Sequence, residues 1–157
     1  MMRFVSRLLP NPQPVLTAVS PRDAPAIAAL HAASFRRGWD EDEVYRLLID
    51  PAVITHRALI RRTLTGFIMS RLAADEAEIL SVAISPTRRG RGLSRMLLDF
   101  HLRTLAGRAV RTVFLEVDEH NVPARRLYSR ADFQEVGRRQ GYYDSGANAL
   151  VLRRDLG

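Results

Sequence analysis

The amino-acid sequence predicts an α/β fold, a mixed sheet with helices on both faces, in the order β α α β β β α β α β β. Three observations carry that expectation. Short β-branched runs alternate with amphipathic stretches. Each amphipathic stretch opens on a capping residue or a glycine-containing loop. No internal repeat, linker or low-complexity segment interrupts the 157 residues, a length that suits about one domain.

Val15 to Val19 reads as a short strand. Ser20-Pro-Arg-Asp23 then carries the N-cap, the proline and the acidic first turn of a helix start. That helix runs to about Phe35, with Ile27, Leu30, His31 and Ser34 to Phe35 on its buried face, and Gly38 breaks it. Asp40 and Glu43 stand at capping-box spacing for a second helix, which Pro51 ends. Trp39 lies between the two helices.

From Val53 the period shortens to that of strands. Val53 to Ile60 and Thr65 to Leu72 read as a hairpin turning through Arg61 to Thr63, and Ala77 to Ser85 is the next strand. A helix follows from Leu93 to about Ala106, with Met96, Leu97, Phe100 and Leu105 as its core stripe and Gly107 as its stop. Arg111 to Val117 is a buried strand, and Asn121-Val-Pro-Ala opens a helix to about Arg130. Phe133 to Val136 and Asn148 to Arg153 close the chain as strands around a turn through Asp144-Ser-Gly146. Residues 15–157 form the single domain. Residues 1–14, with Pro10, Pro12 and Pro14 and only scattered apolar side chains, are expected to be a flexible N-terminal tail.

Composition removes several function classes. With 46% hydrophobic and 26% charged residues the chain is globular in character, and no apolar run approaches the roughly 18–20 residues that cross a membrane. Zero cysteines exclude disulfides, thiolate metal sites and cysteine nucleophiles, which suits a cytoplasmic enzyme. His31, His56, His101 and His120 show no metal-binding spacing and no clustering, so no metal is expected. The net charge of +7 comes entirely from arginine and should attract polyanions. The arginines are dispersed in short pairs without an RNA-binding aromatic motif, which points to solvated faces.

The most informative stretch runs from Ser81 to Leu98, where an apolar strand passes through a basic, glycine-containing loop straight into a helix. Gly90 and Gly92 leave backbone N–H groups uncovered, and the helix start near Leu93 adds its free N–H groups and positive dipole end. Arg88, Arg89, Arg91 and Arg95 supply guanidinium forks that suit phosphate oxygens. A dinucleotide fingerprint would need glycine where Arg95 stands, and a P-loop would need a lysine that the chain lacks. The alternative is a surface turn whose arginines are merely solvated.

Arg89-Gly90-Arg91-Gly92-Leu93-Ser94 resembles the coenzyme A loop, Gln/Arg-x-x-Gly-x-Gly/Ala, of the GNAT N-acetyltransferase superfamily. Ser94 departs from it by a hydroxyl. Phe114 to Tyr128 resembles the family's strand end, the asparagine that opens a helix (Asn121) and the tyrosine that follows (Tyr128). From Ser20 to Leu152 the likeness is closest to bacterial ribosomal-protein-alanine N-acetyltransferases. Glu78 to Pro86, Leu115-Glu-Val117, Leu127-Tyr128, Phe133 and Tyr142-Tyr143 fall in the same order.

The resemblance implies a mostly antiparallel central sheet, acetyl-CoA as cosubstrate, no metal, and direct acetyl transfer to a primary amine. The acceptor implied is the α-amine of a protein N-terminus of the ribosomal-protein-alanine type. The alternatives are a small-molecule amine or amino acid, or a non-catalytic acyl-CoA- or RNA-binding module. No membrane partner is expected, nucleic acid would enter only through a ribosomal substrate, and the chain would be a monomer or homodimer. Without lysine it could not acetylate its own side-chain amines.

By the same resemblance, backbone groups of Val82, Ala83 and Ile84 would hold the pantetheine arm. Arg89, Gly90, Arg91, Gly92, Leu93, Ser94 and Arg95 would hold the pyrophosphate, and Asn121 and Tyr128 would also line the cofactor. An α-ammonium with a pKa near ~8 must lose a proton before it attacks, and Glu116 matches the family's general base. Tyr128 matches the acid that protonates the leaving thiolate. Glu116 could instead face solvent, Tyr128 could be core and Asn121 only an N-cap. Trp39, Tyr142 and Tyr143 either wall the acceptor site or pack. Ala147-Asn148 stands where the relatives carry an acidic residue, which leaves a basic acceptor peptide open.

Overall fold

Capping decides where the first helices begin. In the computed structural model, which describes residues 12–157, Ser20 and Asp23 close a capping box over a 3-10 turn, Pro21–Asp23, that leads into α1 (Ala24–Ser34). A second box opens α2 (Glu41–Ile49): the Asp40 N–H donates to Glu43 at 3.0 Å, and the Glu43 N–H donates to Asp40 at 2.8 Å. Each cap satisfies helix-end donors that would otherwise cost about 1 kcal/mol. Between the helices, a Cβ on Gly38 would sit 2.8 Å from the Ala32 Cα, so close backbone approach requires glycine there. Of the expected tail, residues 1–11 lie outside the described residues, whereas Pro12 to Pro14 line a recess with Ile60, Arg88 and Leu93.

The strands are β1 (Val15–Ala18), β2 (Val53–Ile60), β3 (Thr63–Ala73), β4 (Glu76–Ile84), β5 (Thr112–Asp118), β6 (Gln134–Arg139) and β7 (Ala149–Asp155). The remaining helices are α3 (Leu93–Gly107) and α4 (Val122–Arg130). One seven-stranded sheet runs β1-β2-β3-β4-β5-β7-β6. Only the β4–β5 joint is parallel; the other neighbours are antiparallel. The element order and sheet type are those expected. None of the described helices is long and apolar enough to cross a membrane.

Strand alternation divides the core in two. Phe67 and Met69 face α1 and α2, burying against Ile27, Leu30 and Val44. Ile68, between them, faces the layer of α3 and α4 with Leu97, Leu98, Leu115 and Tyr128. The α3 stripe differs from the sequence reading. Met96 is 41% exposed and Phe100 half-buried, while Leu93, Leu97, Leu98, His101, Leu102 and Leu105 are buried. This helix carries more apolar residues than one face holds, so docking on β3 and β4, not composition, selects the stripe. The histidines also depart from expectation: the sheet brings His56 into contact with His101 under α3.

In β4 the register steps from Ser70↔Ile79 to Met69↔Ser81, leaving Leu80 as the extra residue of a bulge. The bulge reverses the alternation: Ile79 packs in the α3 layer, and so do Val82 and Ile84, while Ala83 joins the α1 layer. It sits where β4 begins to leave β5.

Candidate active site

The parallel joint is short. β4 and β5 pair only from Glu76↔Thr112 to Glu78↔Phe114, although they continue to Ile84 and Asp118. Beyond that point they diverge around a cavity of about 710 Å³ lined by Ile79 to Val82, Leu115 to Asp118, Asn121, Tyr128 and Tyr143. Backbone groups of β4 that face the gap have no β5 partner, and they are strong donors and acceptors.

Alternation in β5 sends Leu115 and Val117 into the core and leaves Glu116 half-buried on the other face. Its side chain is 20% exposed, and Arg139 Nε lies 2.8 Å from its Oε1. Tyr128 comes from α4, edge-on to Phe133 at 5.5 Å, and is 7% exposed. Burial pushes its hydroxyl up to about 12, so it stays protonated at neutral pH. The cavity therefore carries a carboxylate and a protonated phenol, a pair suited to accept and to give a proton. Asn121 is the N-cap of α4, its Oδ1 accepting from the Ala124 N–H at 3.2 Å, and it lines the cavity as well.

The loop before α3 has the form of an anion site. Gly90 and Gly92 adopt φ of 75° and 80°, and a Cβ on either would meet nothing within 4 Å. Gly92 caps α3 without a side chain, and the first intrahelical bond runs from the Met96 N–H to Gly92 O at 3.1 Å. The N–H groups of Leu93, Ser94 and Arg95 are thus left without intrahelical partners. The Leu93 side chain is buried in the core, so only its backbone serves the loop. The arginines divide. Arg89 donates to Ile84 O at 3.1 Å and Ser34 Oγ at 3.4 Å. Arg95 pairs with Asp99 at 2.9 Å and donates to Arg130 O at 2.9 Å, joining α3 to α4. Arg88 and Arg91 line the recess beside Pro12 to Pro14. Among the described residues no group of three or more metal-ligating side chains gathers.

On the acceptor side only Tyr143 of the three aromatic candidates lines the cavity. Trp39 stacks on His31 at 4.0 Å, and its backbone N–H donates to His31 Nδ1 at 3.0 Å, so it packs beside the first layer and does not line this cavity. Tyr142 is 51% exposed and stands outside the cavity. The Tyr143 hydroxyl is pushed up by burial and then by the charges of Asp118 and Glu116. Asn148 receives a structural explanation. Its N–H and Nδ2 donate to Glu119 at 3.0 and 3.3 Å, and its Oδ1 accepts from the Gly141 N–H at 2.9 Å. A carboxylate there would confront Glu119 instead of binding it.

Sequence reasoning missed Ser81, Asp118 and Arg139. Ser81 and Asp118 also line the cavity, and the signal for Ser81 was a hydroxyl inside an otherwise apolar strand. Arg139 lay past the predicted end of β6, which runs on beyond Val136.

A half-buried carboxylate and a buried phenol lining one cleft between parted parallel strands, with β4 running on into a glycine-containing helix start, make a site of the kind found in group-transfer enzymes. The chain belongs to the acetyltransferase (GNAT) family, whose model matches residues 24–133. A Bacillus subtilis relative is 30% identical over 133 residues, 83% of this chain and 87% of its own. The [ribosomal protein bS18]-alanine N-acetyltransferase of Haemophilus influenzae is 40% identical over 91 residues, 55% of this chain and 62% of that protein. The crystal structure of the Escherichia coli ribosomal-protein-S18-alanine N-acetyltransferase shares the fold with a TM-score of 0.86 at 23% identity, covering 92% of this chain and 95% of that one. Arabidopsis thaliana NAA60, solved in complex with acetyl-CoA, has a TM-score of 0.82 at 21% identity, covering 91% and 98%.

Proposed function

We propose that this member of the family transfers the acetyl group of acetyl-CoA directly to the α-amine of a protein N-terminus, of the ribosomal-protein-alanine type, working in the cytoplasm as a monomer or homodimer. The observation that carries this reading is the parted β4–β5 joint with Glu116 and Tyr128 on its walls. The acceptor follows the relative named for alanine of bS18. The charges lining the cavity are mixed, Glu116, Asp118 and Asp144 against Arg36 and Arg37, so the acceptor reading rests on the relative and not on the charge.

Acetyl-CoA supplies an activated thioester. The N–H groups at Leu93 to Arg95 would hold its pyrophosphate, and the backbone from Val82 to Ile84, on the side of β4 that has parted from β5, its pantetheine arm. Glu116 takes the acceptor's proton, freeing the nitrogen lone pair to form the N–C bond. As the adduct collapses and the C–S bond breaks, Tyr128 gives its proton to the departing sulfur and is reprotonated by the second proton that the new amide nitrogen sheds. The test is acetyl transfer to a peptide with N-terminal alanine beside a panel of small amines. Turnover of the peptide is expected; turnover of the panel alone overturns the acceptor, and cofactor binding without any turnover overturns the enzyme.

A further inference from the structure

Arg139 ends β6 and pairs with Ala149 of β7, which in turn pairs with Asp118 of β5. Its guanidinium crosses β7 to place Nε 2.8 Å from Glu116 Oε1. The same guanidinium lies over the ring of Tyr142, 5.5 Å from its centre. Tyr142 stands edge-on to Tyr143, with centroids 5.2 Å apart at 83°. Tyr143 lines the cavity while Tyr142 does not. These four side chains form one continuous path from the mouth of the cavity, on the β6–β7 turn, to the carboxylate on β5.

We infer that Arg139 is a positioning residue that couples the acceptor-facing turn to Glu116, with Tyr142 as its seat. This rests on Glu116 being the proton acceptor. Geometry makes the link specific. The planar guanidinium fork of Arg139 stands against Oε1 as a close ion pair, and its charge favours the carboxylate rotation that keeps Oε1 beside it and leaves Oε2 as the oxygen for the acceptor's proton. The aromatic face beneath Arg139 limits where that fork can lie. An otherwise unexplained feature follows: Tyr142 keeps a large ring at the surface, 51% exposed, because its partner is a cation and not the core. An acceptor that packs on Tyr143 pushes on Tyr142, and through Arg139 on the orientation of Glu116.

The experiment is a kinetic cycle on an acceptor peptide with N-terminal alanine at saturating acetyl-CoA. Its variants are Arg139→Ala, Tyr142→Leu and their double, each also combined with Glu116→Gln, and thermal melts establish that each is folded. Arg139→Ala is expected to lower kcat by about two- to fivefold, the range of a partly exposed ion pair, with KM for acetyl-CoA unchanged. Tyr142→Leu lowers kcat by about twofold. The double variant is no slower than Arg139→Ala alone, because Tyr142 acts through Arg139. Arg139→Lys, a point charge without the fork, restores only part of the rate. In the Glu116→Gln background neither substitution matters. Independent, multiplying effects, or losses that persist beside Glu116→Gln, overturn the inference. A slow Glu116→Gln enzyme with Arg139→Ala at the parental rate overturns this inference alone; a Glu116→Gln enzyme at the parental rate overturns the proton-acceptor reading and this one with it.

Discussion

His56 and His101 meet Nδ1 to Nδ1 at 2.7 Å beneath α3, and His101 Nε2 lies 2.6 Å from Ser70 Oγ. Only one of the two Nδ1 atoms can carry the proton of that bond, so the pair is stable with both rings neutral. Burial lowers His56 to about 4, with the charge of Arg108 adding to it, and lowers His101 to about 3, with His56 adding to it.

The sign of the resulting pH dependence is fixed. Unfolded imidazoles near 6.5 bind protons that the native pair refuses, so stability is complete above that value and drains away as pH falls toward 4 and then 3. Thermal melts at steps from about neutral to about pH 4 should show a falling Tm. His101→Asn, which keeps a polar side chain but cannot be protonated there, should flatten the slope; an unchanged slope would assign the acid sensitivity elsewhere.

Tyr128→Phe removes the proposed proton donor while retaining the ring against Phe133. Turnover should fall by about a hundredfold or more, the scale of lost general acid catalysis, with the affinity for acetyl-CoA preserved. Because the hydroxyl titrates at about 12, the parent should show no loss of rate from Tyr128 near the ordinary tyrosine value. A fall in rate there that vanishes in the phenylalanine variant would mean the hydroxyl is far less buried than described.

The loop before α3 offers two substitutions with opposite outcomes. Gly92→Ala puts a Cβ on a residue at φ 80°, costing about 1–2 kcal/mol of backbone strain and obstructing the approach of a phosphate. Calorimetry should show much weaker acetyl-CoA binding with a modest drop in Tm. Ser94→Gly brings the loop to the family pattern and should keep or tighten binding. Strong weakening in that variant would shift the register of the loop.

Ser81 carries a buried hydroxyl with no partner among the described residues. Ser81→Ala breaks no hydrogen bond, and removing an unsatisfied group should leave stability unchanged or raise it by up to about 1 kcal/mol. A clear loss measured by denaturant unfolding would reveal a partner.

What the sequence discloses depends on whether a feature is local. The Ser20 cap, the Asp40–Glu43 capping box, the glycines at 90 and 92 and the order of elements were legible, because each follows from residues within a few positions of one another. So was the approach of Glu116 and Tyr128 to one cleft, through the family resemblance. The parting of β4 from β5 was not: a continuous apolar run such as Ile79 to Ile84 does not reveal which residues lose their strand partner, nor where a bulge reverses them. The place of Trp39 was left open because an aromatic beside a predicted site and an aromatic packed on His31 look alike in sequence. His56 and His101 were read as unrelated because β2 and α3, which bring them together, are far apart along the chain.

The short parallel joint leaves an edge in the interior of a sheet. An outer edge strand invites any passing strand to add to it, a route to aggregation that proteins must block. Here the adhesive backbone from Leu80 to Ala83 lies in a slot, with the β1–β4 half on one side and β5, β7 and β6 on the other. Set inside the sheet, these groups offer no outer margin to which a neighbour's sheet could add, so the fold keeps open hydrogen-bonding positions without exposing an aggregation-prone edge.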